Sequence, residues 1–186
     1  TPPCSILFSR AGCIGMIQRK HALLLLPLLA VAACAGPAGT DGSPAATGDS
    51  GFVQTAFQGG MAEELAASYA ASKATSPATK SFATRMLSDF DNMNAGLRNA
   101  ATGAGITVPT AASPDQLAPI NTLSQQSGAT FDKNYAASEI TRQKALLQAY
   151  QTEAASGTNP ALKQYAAQGV PVLQSHLTAA EALPAN

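Results

Sequence analysis

The sequence predicts an all-α protein: an antiparallel four-helix bundle with one short extra helix between the second and third long helices. Three observations carry that expectation. Apolar residues recur at steps of three and four through four long segments, alternation with period two is absent, and helix starts led by proline punctuate the chain. Abundant alanine adds helix propensity and lets helices approach closely.

The first segment carries Val53, Phe57, Met61, Leu65 and Tyr69, spaced by four. The second carries Phe82, Met86, Phe90, Met93 and Leu97, flanked by Leu87 and Asn94. In the third, Phe131, Tyr135, Leu146, Leu147 and Tyr150 gather on one side, with Ile140 at its edge. The fourth holds Leu162, Tyr165, Ala166, Leu173, Leu177 and Ala180. Such spacing puts each set on a single helical face. Ser76-Pro77, Ser113-Pro114 and Asn159-Pro160 each set a capping side chain before a proline suited to the first helical turn. Gly103-Ala104-Gly105 ends the second helix, Ile106 to Ala112 is a connector, and Pro114 to about Gln126 makes the short extra helix before the third long one starts near Gly128. Four long helices with short links fold most economically as an antiparallel bundle. Gly59-Gly60, inside the first helical pattern, points to close packing rather than phosphate binding.

The region before the bundle gives an address. Arg19, Lys20 and His21 precede Ala22 to Ala33, an uncharged 12-residue run containing Pro27. A helix of that length reaches about 18 Å, well short of a hydrocarbon core of about 30 Å, so an export signal is expected rather than a transmembrane helix. Val31-Ala32-Ala33-Cys34 looks like a bacterial lipobox, in which the cysteine is lipidated and becomes the new N-terminus. The other reading is a plain secretory signal with a chance cysteine. Each buried methylene of an acyl chain adds roughly 0.8 kcal/mol, so several chains on Cys34 would anchor the protein firmly. Ala35, next in the chain, is not aspartate, and in lipoproteins this resembles a permit for sorting to the outer membrane. The expected organisation is over-extended translation over residues 1–15, a lipoprotein signal peptide over 16–33, a flexible tether over 34–50, and the helical domain over 51–186. The expected place is the bacterial cell envelope, lipid-anchored in the outer membrane and facing the periplasm.

Composition excludes several classes of function. Removing residues 1–33 takes away Arg10, Arg19 and Lys20, leaving 8 basic residues against 11 acidic ones, a net charge of −3. No basic run survives, which argues against a nucleic-acid partner. Ala35 to Ser50 is a Gly, Ala, Pro, Ser and Thr string with too little apolar surface to order itself. Cys4 and Cys13 fall before the expected cleavage point, so beyond Cys34 the mature chain has no thiol for a disulfide, a zinc site or a nucleophile. No Gly-x-Ser-x-Gly is present, and no catalytic or cofactor-binding residue is assigned. The expected partner is the membrane, through the anchor; a protein partner or homo-oligomer is left open.

Four stretches carry a family resemblance: FVQTAFQGGMAEELAASYAASKATSPATKSFATRMLSDF, GITVP, LSQQSGATFDKNYAASEI and YAAQGVPVLQSHLTAAEAL. Together they resemble the bacterial envelope family of domain of unknown function 4142, over about Phe52 to Leu183. The resemblance implies a ferritin-like helical fold and an outer-membrane lipoprotein. Family members commonly have a histidine after the aspartate of the second helix, another in the third and one near the end of the fourth. The matching positions here are Phe90, Gln143 and His176, so one of the three remains. Where the family often separates two glutamates by one residue, this chain has Glu63 and Glu64 side by side.

A ferritin-like di-iron centre needs Glu and His three apart on two helices. The residues three after each glutamate are Ala66, Ala67, Arg142, Ser156 and Pro184, and the mature chain has one histidine. Polar residues nevertheless fall on predicted core faces. With Phe131 at zero and about 100° per residue, Glu139 lies near 80° and Gln143 near 120°, on either side of Tyr150 near 100°. His176 lies within about 40° of the centre of the fourth stripe, and Glu64 points inward by the same measure. The expectation is a hydrogen-bonded buried polar layer of Glu64, Glu139, Gln143 and His176, using Tyr69, Tyr135 or Tyr150. A ligand or metal site from Glu64, Glu139 and His176 is the competing reading, and a position on the rim a third. Arg142 could also hold Glu139 at the surface as a helical ion pair. Asp89 and Asp91 are read as a solvated edge, and Met61, Met86 and Met93 as core filling. In function this predicts a non-enzymatic envelope lipoprotein serving as a structural or interaction module, with no cofactor. The alternatives are a ferritin-like metal-binding or redox protein, or a carrier of a small apolar ligand.

Overall fold

The computed structural model describes residues 47–184. Cys34, the signal peptide and most of the tether lie outside the described residues. Five helices follow one another: α1 (Gly48–Lys73), α2 (Pro77–Gly103), α3 (Pro114–Ser124), α4 (Gly128–Ser156) and α5 (Pro160–Glu181). The predicted all-α, antiparallel four-helix arrangement, with a short helix between the second and third long ones, is what the chain adopts. None of the described helices is long and apolar enough to cross a membrane.

The caps fall where Ser, Asn and Pro place them. Ser76 Oγ accepts from the Thr79 amide at 3.3 Å, and Asn159 Oδ1 accepts from Ala161 and Leu162 at 3.0 and 3.2 Å. Ser113 and Gln116 form a reciprocal capping box at the start of α3. At the other end of α2, Gly105 takes a left-handed φ of 70° and lets the Ile106 amide reach back to the Ala101 carbonyl at 2.9 Å. α1 begins three residues before the expected Gly51, so Gly48, Asp49 and Ser50 are helical.

Two carboxylates tie distant corners together and define the path. Asp132, near the start of α4, accepts from the Thr75 and Ser76 amides at the α1–α2 turn, at 3.1 and 3.0 Å, and from the Thr75 hydroxyl. Asp49, at the start of α1, accepts from Thr158 and Asn159 at the α4–α5 turn, each amide at 2.8 Å. The starts of α1 and α5 therefore share one end of the bundle, and the start of α4 shares the other end with the α1–α2 turn. α1 packs on α2 and α4, and α5 packs on the same two, each neighbour antiparallel. The connector and α3 carry the chain back along the bundle, with Ile120 and Leu123 buried and α3 packed on α1 and α4.

Small residues set the helix spacing. A Cβ on Gly59 would stand 2.6 Å from Leu146 Cδ2, and one on Gly60 would stand 2.1 Å from Asn94 Oδ1. Close packing at this pair is thus the role the structure gives it.

Candidate functional site

The interior of this bundle is charged at its middle. α1 buries Ala56, Gly59, Ala62, Glu63, Ala66, Ala67 and Ala70 rather than the full spaced-by-four apolar set; Met61, Leu65 and Tyr69 are half-buried. A step of four residues advances about 400°, so that set drifts about 40° per step around the helix, while the small residues hold one face. Glu63 sits on that face and is fully buried. Glu64, about 100° further round, is half-buried and accepts from Asn94 Nδ2 at 2.8 Å. The expected inward Glu64 is thus corrected to Glu63.

α4 supplies the rest of the cluster. Phe131, Tyr135, Glu139, Gln143, Leu146 and Tyr150 are all buried, in steps of three and four. Arg142, half a face away, folds inward so that its side chain is only 15 % exposed. Its Nη2 donates to Glu139 Oε1, and its Nε lies 3.4 Å from Glu63 Oε1 without a hydrogen bond. The Glu139–Arg142 pair therefore exists inside the bundle, not at the surface as the alternative reading had it. Burial, and then the Glu139 carboxylate, push the Glu63 carboxyl well above the usual range, with Arg142 pulling the other way. Burial also works against the Arg142 charge, but Glu139 and Glu63 outweigh it and hold the guanidinium protonated. Both Glu63 oxygens, Glu139 Oε2 and the Tyr135 hydroxyl have no hydrogen-bond partner among the described residues. One cation thus serves two buried carboxyls.

His176 belongs to a separate pair. It is fully buried on α5, its Nε2 2.8 Å from Asp89 Oδ2 on α2, its ring 5.5 Å from that of Phe90. Asp89 also accepts from Arg85 Nε at 3.1 Å, so it is a link between rim and core rather than a solvated edge. Burial lowers the His176 pKa and Asp89 opposes that. Gln143 meets the Met86 sulfur at 3.9 Å. Of the four residues expected in the polar layer, Glu139, Gln143 and His176 are interior and Glu64 is not. No hydrogen bond joins those three to one another, and no described trio of His, Cys, Asp or Glu is arranged to hold a metal ion.

A cavity of about 220 Å³ between α1, α3 and α4 opens onto the charged cluster. Glu63 and Arg142 form its inner end with Gly59, Ala62 and Leu146; Thr55, Asp115, Pro119, Thr141 and Ala145 stand at its exposed mouth. A second cavity, of about 320 Å³, lies between the start of α1 and the end of α4 and contains Glu153. There burial, followed by the Asp49 charge, raises the Glu153 carboxyl to about 7.

Sequence reasoning passed over Glu63, Glu153 and Asp132, and weighed Arg142 only as a surface partner of Glu139. The signal for Glu63 was the Gly and Ala register of α1, which marks the face where helices come closest. For Asp132 there was none, because its partners lie more than fifty residues away at another corner.

No curated protein and no solved structure matches this chain. Its sequence from residue 35 to residue 183 does match a family described as a domain of unknown function (DUF4142). That stretch takes in all five helices and most of the chain, and the protein is a member of the DUF4142 family.

Proposed function

We propose that this chain is a lipid-anchored protein of the bacterial envelope, whose helical bundle serves as a non-enzymatic structural or interaction module in the outer membrane, facing the periplasm. The observation that carries the reading is Val31-Ala32-Ala33-Cys34 placed directly after a basic and then an apolar segment, with the bundle starting at Gly48. The spacer from Cys34 to Gly48 reaches at most about 50 Å when extended, which keeps the bundle beside the bilayer surface. The single crossover through α3 supports a ferritin-like path, but the ligand set of a di-iron centre is not provided. The described carboxylates include no Glu with a His three residues on, and His176 is engaged by Asp89.

The test is expression in a Gram-negative host with radiolabelled palmitate, followed by membrane fractionation and mass analysis. Label on the wild-type chain and its loss from Cys34→Ala, with release of that variant into the soluble periplasm, supports the reading. An unmodified chain running intact through Cys34 refutes it. Stoichiometric iron or manganese in the purified protein would refute the non-metal half.

A second reading, a small-ligand carrier, is favoured by the cavity between α1, α3 and α4. Its inner end bears a carboxyl and a guanidinium, so the ligand it suits has a polar end as well as an apolar body.

A further inference from the structure

The charge balance of that cavity is incomplete. Among the described residues Arg142 is the only cation lining it, and Glu139 already takes a hydrogen bond from this guanidinium. Glu63 is fully buried, its Oε1 3.4 Å from Arg142 Nε but neither oxygen hydrogen-bonded among the described residues, and it forms part of the wall. Asp115 on α3 adds a further negative group at the mouth, while the walls between are mostly apolar, with Gln116 among them. Glu63, Glu139 and Arg142 together are one positive charge short of neutral, and a buried carboxylate is held only if it is neutralised and hydrogen-bonded. Two kinds of group meet that need: a proton, or a ligand cation with several N–H donors.

We propose that this cavity binds a small primary amine in its ammonium form, the nitrogen donating to Glu63 and the apolar body lying along Gly59, Ala62, Pro119 and Leu146. The inference rests on the small-ligand reading and names its substrate class. Three N–H donors suit carboxyl oxygens that receive no hydrogen bond among the described residues, whereas a carboxylate ligand would meet Glu63 and Asp115 as like charges. The volume, equal to about seven water molecules at roughly 30 Å³ each, suits a compact amine of under a dozen non-hydrogen atoms. No step of chemistry is implied; the site binds and does not transform.

Isothermal titration of the full chain with benzylamine tests this, with benzyl alcohol and benzoate as neutral and anionic probes of the same shape. Benzylamine should bind roughly thirtyfold or more tightly than either, the value of one charge-assisted hydrogen bond. Glu63→Gln should lose that preference. Because altering a buried group can impair folding, Ala145→Met provides a second arm: this residue is exposed at the mouth, and the longer side chain should block entry and weaken benzylamine at least roughly tenfold. Benzyl alcohol binding as tightly as benzylamine, with sensitivity to Ala145→Met, overturns the amine assignment and leaves the carrier reading standing. No saturable binding of any probe overturns both. Benzylamine binding that survives Glu63→Gln or Ala145→Met places the amine elsewhere and overturns the site.

Discussion

Replacing Arg142 with methionine should be among the most damaging single changes in the bundle, and the loss should depend on pH. Methionine keeps the apolar stem and removes the guanidinium that, among the described residues, pairs with Glu63 and Glu139. Burial and the Glu139 carboxylate already push the Glu63 carboxyl well above the usual range. Without the guanidinium, a carboxyl that it now compensates must be kept neutral or stay charged in the core. The first route costs about 1.36 kcal/mol for each pH unit above the ordinary carboxyl value. With that value at 4.5, the cost at pH 7 is about 3.4 kcal/mol. Breaking a buried ion pair by removing one partner typically costs about 3–5 kcal/mol, so the two routes agree. The sign follows from proton uptake: the folded variant binds a proton that the unfolded chain releases above 4.5, so its stability is greatest below 4.5 and falls as pH rises. At pH 5 the same term shrinks to about 0.7 kcal/mol. Urea denaturation followed by circular dichroism at pH 5, 6 and 7 measures the difference from wild type. A loss under about 1 kcal/mol at pH 7, or a larger loss that stays constant with pH, would refute the buried-cluster argument.

Three further outcomes are expected. Asp132→Ala removes the acceptor for two backbone amides and a hydroxyl at the α1–α2 turn, costing about 3 kcal/mol and lowering Tm by about 10 °C; a fall under about 3 °C in a thermal melt counts against the tie. Glu153, with its carboxyl raised to about 7, contributes stability that is full below 4.5 and lost as pH rises through 7. Glu153→Gln does not titrate, so its Tm relative to wild type should climb between pH 5 and pH 8; a constant difference sinks this. Gly169→Ala would put a Cβ 2.4 Å from Tyr150 Cε1, in a ring already held edge-on to Phe52 and bonded to the Tyr165 hydroxyl. Overpacking of about 1–3 kcal/mol should exceed the helix propensity gained, about 1 kcal/mol, whereas Gly103→Ala, with open space around it, should not destabilise. Calorimetry of the two variants side by side decides.

The helices were legible because their signals are local. A cap, a proline and an apolar step act within one or two turns, and Ser76, Ser113 and Asn159 do what their neighbours in sequence require. α4 was also readable as a face, since the step of three from Gln143 to Leu146 turns the drift back and keeps Phe131 through Tyr150 within about 120°. α1 was not. There the large side chains, spaced by a steady four, wind away from the helix–helix seam, and the seam is lined by Gly and Ala that carry little weight in an apolar pattern. Which of two adjacent glutamates turns inward is settled by where α4 can approach, and Gly59 against Leu146 marks that approach. Arg142 was harder still: its backbone position is on the flank, and only the long, flexible stem lets its charge reach the interior. The candidate site therefore lies where two short-range readings fail together. A small-residue seam brings one carboxyl in, a flanking arginine follows it, and the cavity beside them exists because α3 packs over α1 and α4, a relation between elements that no single segment encodes.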